Sequence, residues 1–177
     1  MSKFNSAWYL IYTRPNHERV FARHLAENKI EFLLPTNKVK RIWHDRTKII
    51  DIPLFPSYVF VHVKSMADYY NCMEAGGFCY YVKFGNQLAV INQKIIEDID
   101  LIVRKGKNIE VSPNVHYGQK VVISQGPLCG LSGELVTHKG KEKVCVRINL
   151  FNRVILTDLN SNMMANEAPA YALQIRN

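Results

Sequence analysis

With 177 residues, 47% of them hydrophobic and 21% charged, the chain has ordinary globular composition and is too short for a TIM barrel or a two-lobed kinase. Its 23 Lys and Arg against 15 Asp and Glu leave a net charge of +8, which draws the molecule towards polyanions, nucleic acid first among them. No run of about 18 or more apolar residues occurs and Met1 to Ser6 lack the apolar core of a signal peptide, so a soluble, cytoplasmic protein is expected. The four cysteines, Cys72, Cys79, Cys129 and Cys145, contain no C-x-x-C pair and read as single reduced core residues, not as a zinc site or a disulfide framework.

Ala7 to Thr13, AWYLIYT, is dense in aromatic and β-branched residues and stops at Arg14-Pro15-Asn16, which predicts a buried strand. From Pro15 to about Asn28, Val20, Phe21, Ala22 and Leu25 recur at helical spacing, while Glu18, Arg19, Arg23 and Glu27 take other faces. Pro15 suits the first turn of that helix, where a missing N–H costs nothing. Phe32 to Pro35 predicts a second short strand, and Asn37–Trp43 and Arg46–Ile52 form the arms of a basic hairpin around His44-Asp45. In Pro53 to Val63, PLFPSYVFVHV, a proline-bracketed bend leads into a strand with Tyr58, Phe60 and His62 on one side and Val59, Val61 and Val63 on the other.

Met66 to Ala75 predicts a short helix stopped by Gly76-Gly77, and Tyr80–Phe84 with Leu88–Val90 a hairpin turning at Gly85-Asn86. Asn92 is placed to cap a helix whose Ile95, Ile96, Ile99, Ile102 and Val103 make an apolar stripe up to Gly106. Beyond it Lys107–Pro113 is polar, and short Val- and Ile-rich runs follow at Val121–Ser124, Gly133–Thr137, Val144–Leu150 and Val154–Leu159. The tail from Asn160 has weak apolar content, and Ala168–Ile175 either adds a strand or hangs loose.

This pattern predicts an α+β chain: one domain over 1–106, a linker over 107–114, a small all-β module over 115–165 and a tail over 166–177. Both parts are basic, with 15 Lys and Arg against 10 Asp and Glu in 1–106 and 8 against 5 in 107–177. The six histidines, His17, His24, His44, His62, His116 and His138, lack metal-ligand spacing, and no P-loop, G-x-S-x-G or paired carboxylates stand out. Neither an enzyme nor a metal or other cofactor is expected.

The densest local pattern is GQKVVISQGPLCGLSGELV over residues 118–136. Its glycines permit positive φ, Pro127 fixes a turn, and the flanking runs alternate as strands of a very small barrel must. This segment resembles the KOW motif. Trp8-Tyr9 together with Pro53-Leu54-Phe55-Pro56-Ser57-Tyr58-Val59-Phe60-Val61 resembles the signature of the NusG N-terminal domain. Their order and spacing are similar to the NusG family of transcription elongation factors over nearly the whole chain. Tyr81-Val82-Lys83-Phe84-Gly85 looks nearer to the specialised, RfaH-like paralogues.

The resemblance implies an N-terminal α/β sandwich, a mainly antiparallel sheet flanked by helices, followed by a KOW barrel. It implies binding to the RNA polymerase clamp and suppression of pausing and premature termination, on selected operons that in such paralogues often encode surface polysaccharides. Tyr12, Tyr58, Phe60 and Tyr81 fall where the family places clamp-binding aromatics, and Asp68, Tyr69, Tyr70 and Asn71 near where relatives meet the polymerase gate loop. Arg14, His17, Arg23 and His24 lie along the first helix, where RfaH-like paralogues touch non-template DNA. Lys38, Lys40, Arg41, Arg46 and Lys48 on the hairpin are expected to face upstream DNA or polymerase. Leu128, Leu131, Phe151, Asn152 and Arg153 fall in the loops that relatives use to recruit Rho or a ribosomal protein. Leu128 stands where the family usually has Phe and Asn152 where it usually has Gly, which fits a paralogue that has changed partners. The strongly β-favouring runs Val121–Ile123, Val144–Ile148 and Val154–Leu156 predict a permanent barrel and not the helical form of RfaH. A monomer is the default. The rival class is a KOW-type RNA-binding or ribosome-associated protein, for which the PLFPSYVFV segment has no use.

Overall fold

The aromatic and β-branched run expected as the first strand is β1 (Ala7–Thr13), the centre of an antiparallel sheet in the computed structural model. The structure describes residues 5–42, 46–113, 115–148, 153–159 and 164–167. The expected hairpin turn at His44-Asp45 with the adjoining Trp43, the partner-loop residues Phe151 and Asn152, and the stretch Ala168–Ile175 lie outside the described residues. The chain divides into two units, Met1–Gln93 and Lys94–Asn177.

In the first unit β1 is followed by α1 (Glu18–Glu27), β2 (Glu31–Leu33), the hairpin β3 (Thr36–Ile42) and β4 (Thr47–Pro53), and β5 (Tyr58–Val63). Then come α2 (Met66–Glu74), β6 (Phe78–Tyr81), β7 (Lys83–Phe84), β8 (Gln87–Leu88) and β9 (Val90–Ile91). The main sheet runs β2-β5-β1-β6, with β9 also paired to β1. Strand alternation sends Tyr9, Ile11, Val59, Val61, Val63 and Tyr81 to one face, where they make a core with Phe21 and Leu25 of α1 and Cys72 of α2. α2 starts at a capping box: the Ser65 hydroxyl accepts from the Asp68 amide at 3.1 Å and the Asp68 carboxylate accepts from the Ser65 amide at 3.1 Å.

The segment 80–90 differs from the single hairpin expected there. β6 and β9 both return to β1, and only β7 and β8 form a small hairpin between them. The reason is hydrogen bonding: the Val82 amide donates to the Leu10 carbonyl and the Ala89 amide to the Val82 carbonyl, so the chain leaves β1 and re-enters beside it.

The second unit holds most of α3 (Gln93–Lys105) and a six-stranded antiparallel sheet of order β10-β14-β13-β12-β11-β15. Its strands are β10 (Glu110–Ser112), β11 (Gln119–Gln125), β12 (Ser132–His138), β13 (Lys141–Ile148), β14 (Arg153–Asp158) and β15 (Met164–Glu167). Sequence pattern places a division at 106/107, whereas the unit boundary falls at Gln93/Lys94. Asp98 of α3, fully buried, accepts from the Ser132 amide at 3.2 Å and from the Lys94 ammonium at 2.8 Å, which ties the helix to the sheet. Residues 110–112 of the expected linker pair with β14 as β10. Gly118 has to be glycine, because a Cβ there would stand 1.9 Å from the Leu135 carbonyl oxygen. Gly126, at φ 92, opens the turn between β11 and β12. Of the four thiols, Cys72 and Cys145 are buried as expected, but Cys79 and Cys129 are exposed. Three helices occur among the described residues, and none is long and apolar enough to cross a membrane.

Charge is used inside this second sheet. Lys143, almost wholly buried, lies 3.1 Å from Glu110 and 3.1 Å from Asp158, and Lys139 adds a second cation 2.9 Å from Glu110. Hydrogen bonds from Lys139 and Lys143 hold the Glu110 carboxyl below its ordinary 4.5. Folded Glu110 therefore takes its proton at lower pH than unfolded Glu110, so its stabilisation is complete above 4.5 and lost as pH falls through the folded value. Urea unfolding through the acidic range is expected to show a loss that Glu110→Gln reduces by under about 1 kcal/mol, since solvent screens this pair. An unchanged profile in the variant contradicts the linkage.

Candidate functional site

Three elements meet at Ser57, the residue before β5. Ser57 holds a positive φ of 68°, a strained choice for a non-glycine residue. Its amide donates to the Glu18 carboxylate at 2.6 Å, and its carbonyl accepts from the Thr13 amide at 2.8 Å and the Thr13 hydroxyl at 3.3 Å. Glu18 is the first residue of α1 and only 5% exposed, not on a solvent face as periodicity suggests. Helical spacing cannot reveal this, because the partner amide is 39 residues away. A carboxylate at a helix N-terminus is also favoured by the helix dipole.

The clasp adjoins the sheet face opposite the helices. Tyr12 stands directly opposite Tyr58 on β5 and Tyr80 on β6. The Tyr12 ring packs edge-on to Tyr58 at 5.2 Å between centroids and stacks on Tyr80 at 5.0 Å. Tyr12 and Tyr58 are half-buried and Tyr80 is 53% exposed, so the three rings form one partly open aromatic surface. Tyr80 is the residue that sequence reasoning missed. Tyr81, expected on this face, points to the other: it packs in the helix-side core, stacks on Tyr69 at 4.5 Å, and donates its hydroxyl to the Tyr69 carbonyl at 3.0 Å. Burial pushes the Tyr81 hydroxyl pKa up and the neighbouring Cys72 thiol up to about 11, as expected of inert core groups. Phe60 shares the face of Tyr58 but is fully buried, edge-to-face with Phe55. Apart from Tyr81, the expected aromatic set therefore lies on one face, with Phe60 as its floor.

The other expected residues divide. On α2, Tyr70 is exposed, Tyr69 is half-buried and Asp68 is spent on its capping box. Asn71 accepts from His24 Nε2 at 2.7 Å and donates to Asn28 Oδ1 at 3.0 Å, so His24 and Asn71 latch α1 to α2. Arg14, His17 and Arg23 are exposed. On the β3–β4 hairpin Lys38, Lys40, Arg41 and Lys48 are all exposed, as is Arg46 just before β4. Lys38 lies opposite Asp51, but Arg41 lies opposite Lys48, a like-charge pair that costs stability in isolation. Ile42, on the same hairpin, is 85% exposed. A cleft of about 310 Å³ separates hairpin and helix, lined in part by Arg19 and Arg41, and Arg19 crosses it to the Asp51 carbonyl at 2.7 Å. In the second unit Leu128 and Leu131 are fully buried beside the Gly126 turn, and Arg153 at the start of β14 is exposed.

The family described as "Transcription termination factor nusG" matches residues 6–100, more than half of the chain. The chain belongs to the NusG family. That family is one of transcription factors and not of enzymes. Among solved structures the chain is similar to NusG of Thermotoga maritima, in a structure described as "Domain interaction in Thermotoga maritima NusG". The TM-score is 0.50 at 17% identity, over 87% of this chain and 94% of that one, a likeness of fold alone. Conformations B and A of an MjSpt4:Spt5 complex also match, at TM-scores of 0.30 and 0.32 and identities of 16% and 13%. They cover 91% and 92% of this chain and 97% and 99% of theirs.

The clasp is directly testable. Glu18→Ala leaves the buried Ser57 amide without its acceptor and is expected to cost roughly 1–3 kcal/mol in urea unfolding. Glu18→Gln, which keeps an acceptor, should lose less. Equal stability of Glu18→Ala and wild type would show that the hydrogen bond carries no weight.

Proposed function

We propose that this NusG-family chain is a transcription elongation and antitermination factor that docks on the RNA polymerase clamp through the ring surface of Tyr12, Tyr58 and Tyr80. The observation that supports this most is the stacked, half-open aromatic face at the centre of the family-matched region. Such rings on a rigid sheet are the chemistry of a protein-interface hot spot. The factor acts by binding one polymerase state better than another, the only way a non-catalytic ligand shifts such an equilibrium. Suppression of pausing follows when the preferred state is the active, closed one.

In this reading Tyr69 and Tyr70, on the helix side of the sheet, form a separate contact with the polymerase gate loop. Arg14, His17 and Arg23 face non-template DNA, and Lys38, Lys40, Arg41, Arg46 and Lys48 meet upstream DNA. The Arg41–Lys48 pair supports the latter, because a phosphate between two like charges removes their repulsion. Residues 1–106 carry the polymerase interface and 115–165 act as a KOW-type module in the cytoplasm. Its exposed Arg153, with Phe151 and Asn152 before it in sequence, takes up a recruited partner such as Rho or a ribosomal protein, while Leu128 and Leu131, being fully buried, serve the core beneath and not the contact. The departures at Leu128 and Asn152 favour an RfaH-like paralogue serving selected operons, those for surface polysaccharide among them.

Binding of the purified chain to RNA polymerase tests the reading. Tyr12→Ala and Tyr80→Ala are each expected to weaken binding by roughly 1–2 kcal/mol or more. Tyr81→Phe, a change in the opposite core, leaves affinity unchanged. Absence of polymerase binding by wild type, or indifference to both alanine variants, would sink the clamp assignment. For the hairpin, the double variant Arg41→Ala, Lys48→Ala is expected to flatten the salt dependence of DNA binding by about one unit of log–log slope for each phosphate that is no longer neutralised.

A further inference from the structure

Tyr117 belongs to neither surface described so far. It precedes Gly118 at the entry to β11 and is 83% exposed. The Arg147 guanidinium carbon lies 4.1 Å from the ring centroid and covers one face of the ring. That guanidinium is held rigidly. Its Nε donates to Glu134 Oε1 at 3.2 Å, and its Nη2 donates to Glu134 Oε2 at 3.0 Å and to the Val115 carbonyl at 3.3 Å. Glu134 is 3% exposed and also accepts from the Gly118 amide at 3.3 Å, so one buried carboxylate fixes both the cation and the backbone next to the ring.

Here the buried ion pair presents the ring, and the charge accessible beside it is positive. Glu134 is consumed, Lys120 stands opposite it across β11–β12 and is exposed, and His116 is exposed next to the ring. A flat, open π-face backed by a cation, with an exposed lysine three residues on in the same segment, suits an unstacked nucleobase and its phosphate. The net charge of +8 favours a polyanionic partner of this kind over a neutral or basic protein loop.

We propose that Tyr117, carried on Arg147, is a stacking platform for an unpaired base of single-stranded nucleic acid, with Lys120 at the adjoining phosphate. Duplexes do not fit the site, because their bases are already stacked. The site lies in the second unit and does not depend on the clamp reading, so each fails or stands alone.

The test uses the full chain and anisotropy of labelled oligonucleotides of about a dozen residues: oligo-uridine RNA, oligo-thymidine DNA, and a duplex of similar length. Tyr117→Ala is expected to weaken single-strand binding roughly 5- to 100-fold and Tyr117→Phe less than about twofold, with duplex binding unchanged. Lys120→Ala should lower the single-strand salt slope by about 0.7. The RNA and DNA arms identify which strand is the better ligand. A photo-cross-link from 4-thiouridine RNA to the Tyr117 peptide should persist when Lys40, Arg41 and Lys48 are all changed to Ala, which separates this site from the hairpin. No single-strand binding by wild type, equal affinity of Tyr117→Ala and wild type, or an equal loss on duplex would overturn the proposal.

Discussion

The amide and carbonyl of Ser57 are the constraint on which the exposed surface of the first unit depends. A residue at positive φ persists only where its neighbours over-determine it. Here Glu18 takes the amide from the start of α1 and Thr13 takes the carbonyl from the end of β1. The end of β1 and the start of α1 are thereby locked to a residue about forty positions away, and the next residue in chain order is Tyr58. The pairing of Tyr58 with Tyr12 agrees with that contact, and the separate pairing of β6 with β1 adds Tyr80, where a slip of one residue would turn the rings to the opposite face.

The two units solve the problem of a small core differently. The first buries an apolar layer between sheet and helices, takes in the Glu18 carboxylate at the Ser57 amide, and carries a cluster of exposed cations on a hairpin where Arg41 and Lys48 oppose each other. In the second, carboxylates and cations enter the packing: Lys143 between Glu110 and Asp158, Arg147 on Glu134, Asp98 on the Ser132 amide. Burying these groups is tolerable only because each is paired, and breaking one partner leaves the other stranded. The same pairing gives Arg147 the rigidity to carry an exposed ring, so a device for stability also builds a surface.

Much of the architecture was legible in the chain. The alternation in PLFPSYVFVHV identified β5 and its two faces, the apolar stripe of 95–103 identified α3, and Gly118 and Gly126 fall where close approach and positive φ demand glycine. The exchange of Tyr80 for Tyr81 has a definite cause. Both are tyrosines on one short strand, and the pairing of Tyr80 with Tyr12 and of Tyr81 with Ile11 decides which ring faces which side. That pairing joins residues about seventy positions apart and leaves no trace in local composition. His24 reads as an exposed functional group for a related reason, since its partner Asn71 is chosen by how α1 and α2 come together, whereas the use of Asp68 in a capping box with Ser65 is a local pattern that the sequence does carry.

The sequence by itself determined the periodic quantities: where strands and helices run, which residues are apolar enough to be buried, where the backbone must turn, and that the surface is basic. These depend on neighbours within a few positions, and the physics of side-chain alternation and turn geometry is local. Tertiary structure alone decided that Glu18 is an internal acceptor, that Tyr80 and not Tyr81 joins Tyr12, that α3 is tied to the second sheet, and that Tyr117 stands open on a fixed guanidinium. Each of those outcomes is set by a hydrogen bond or ring packing between residues far apart in the chain, and only folding brings such pairs within the few ångströms over which those forces act.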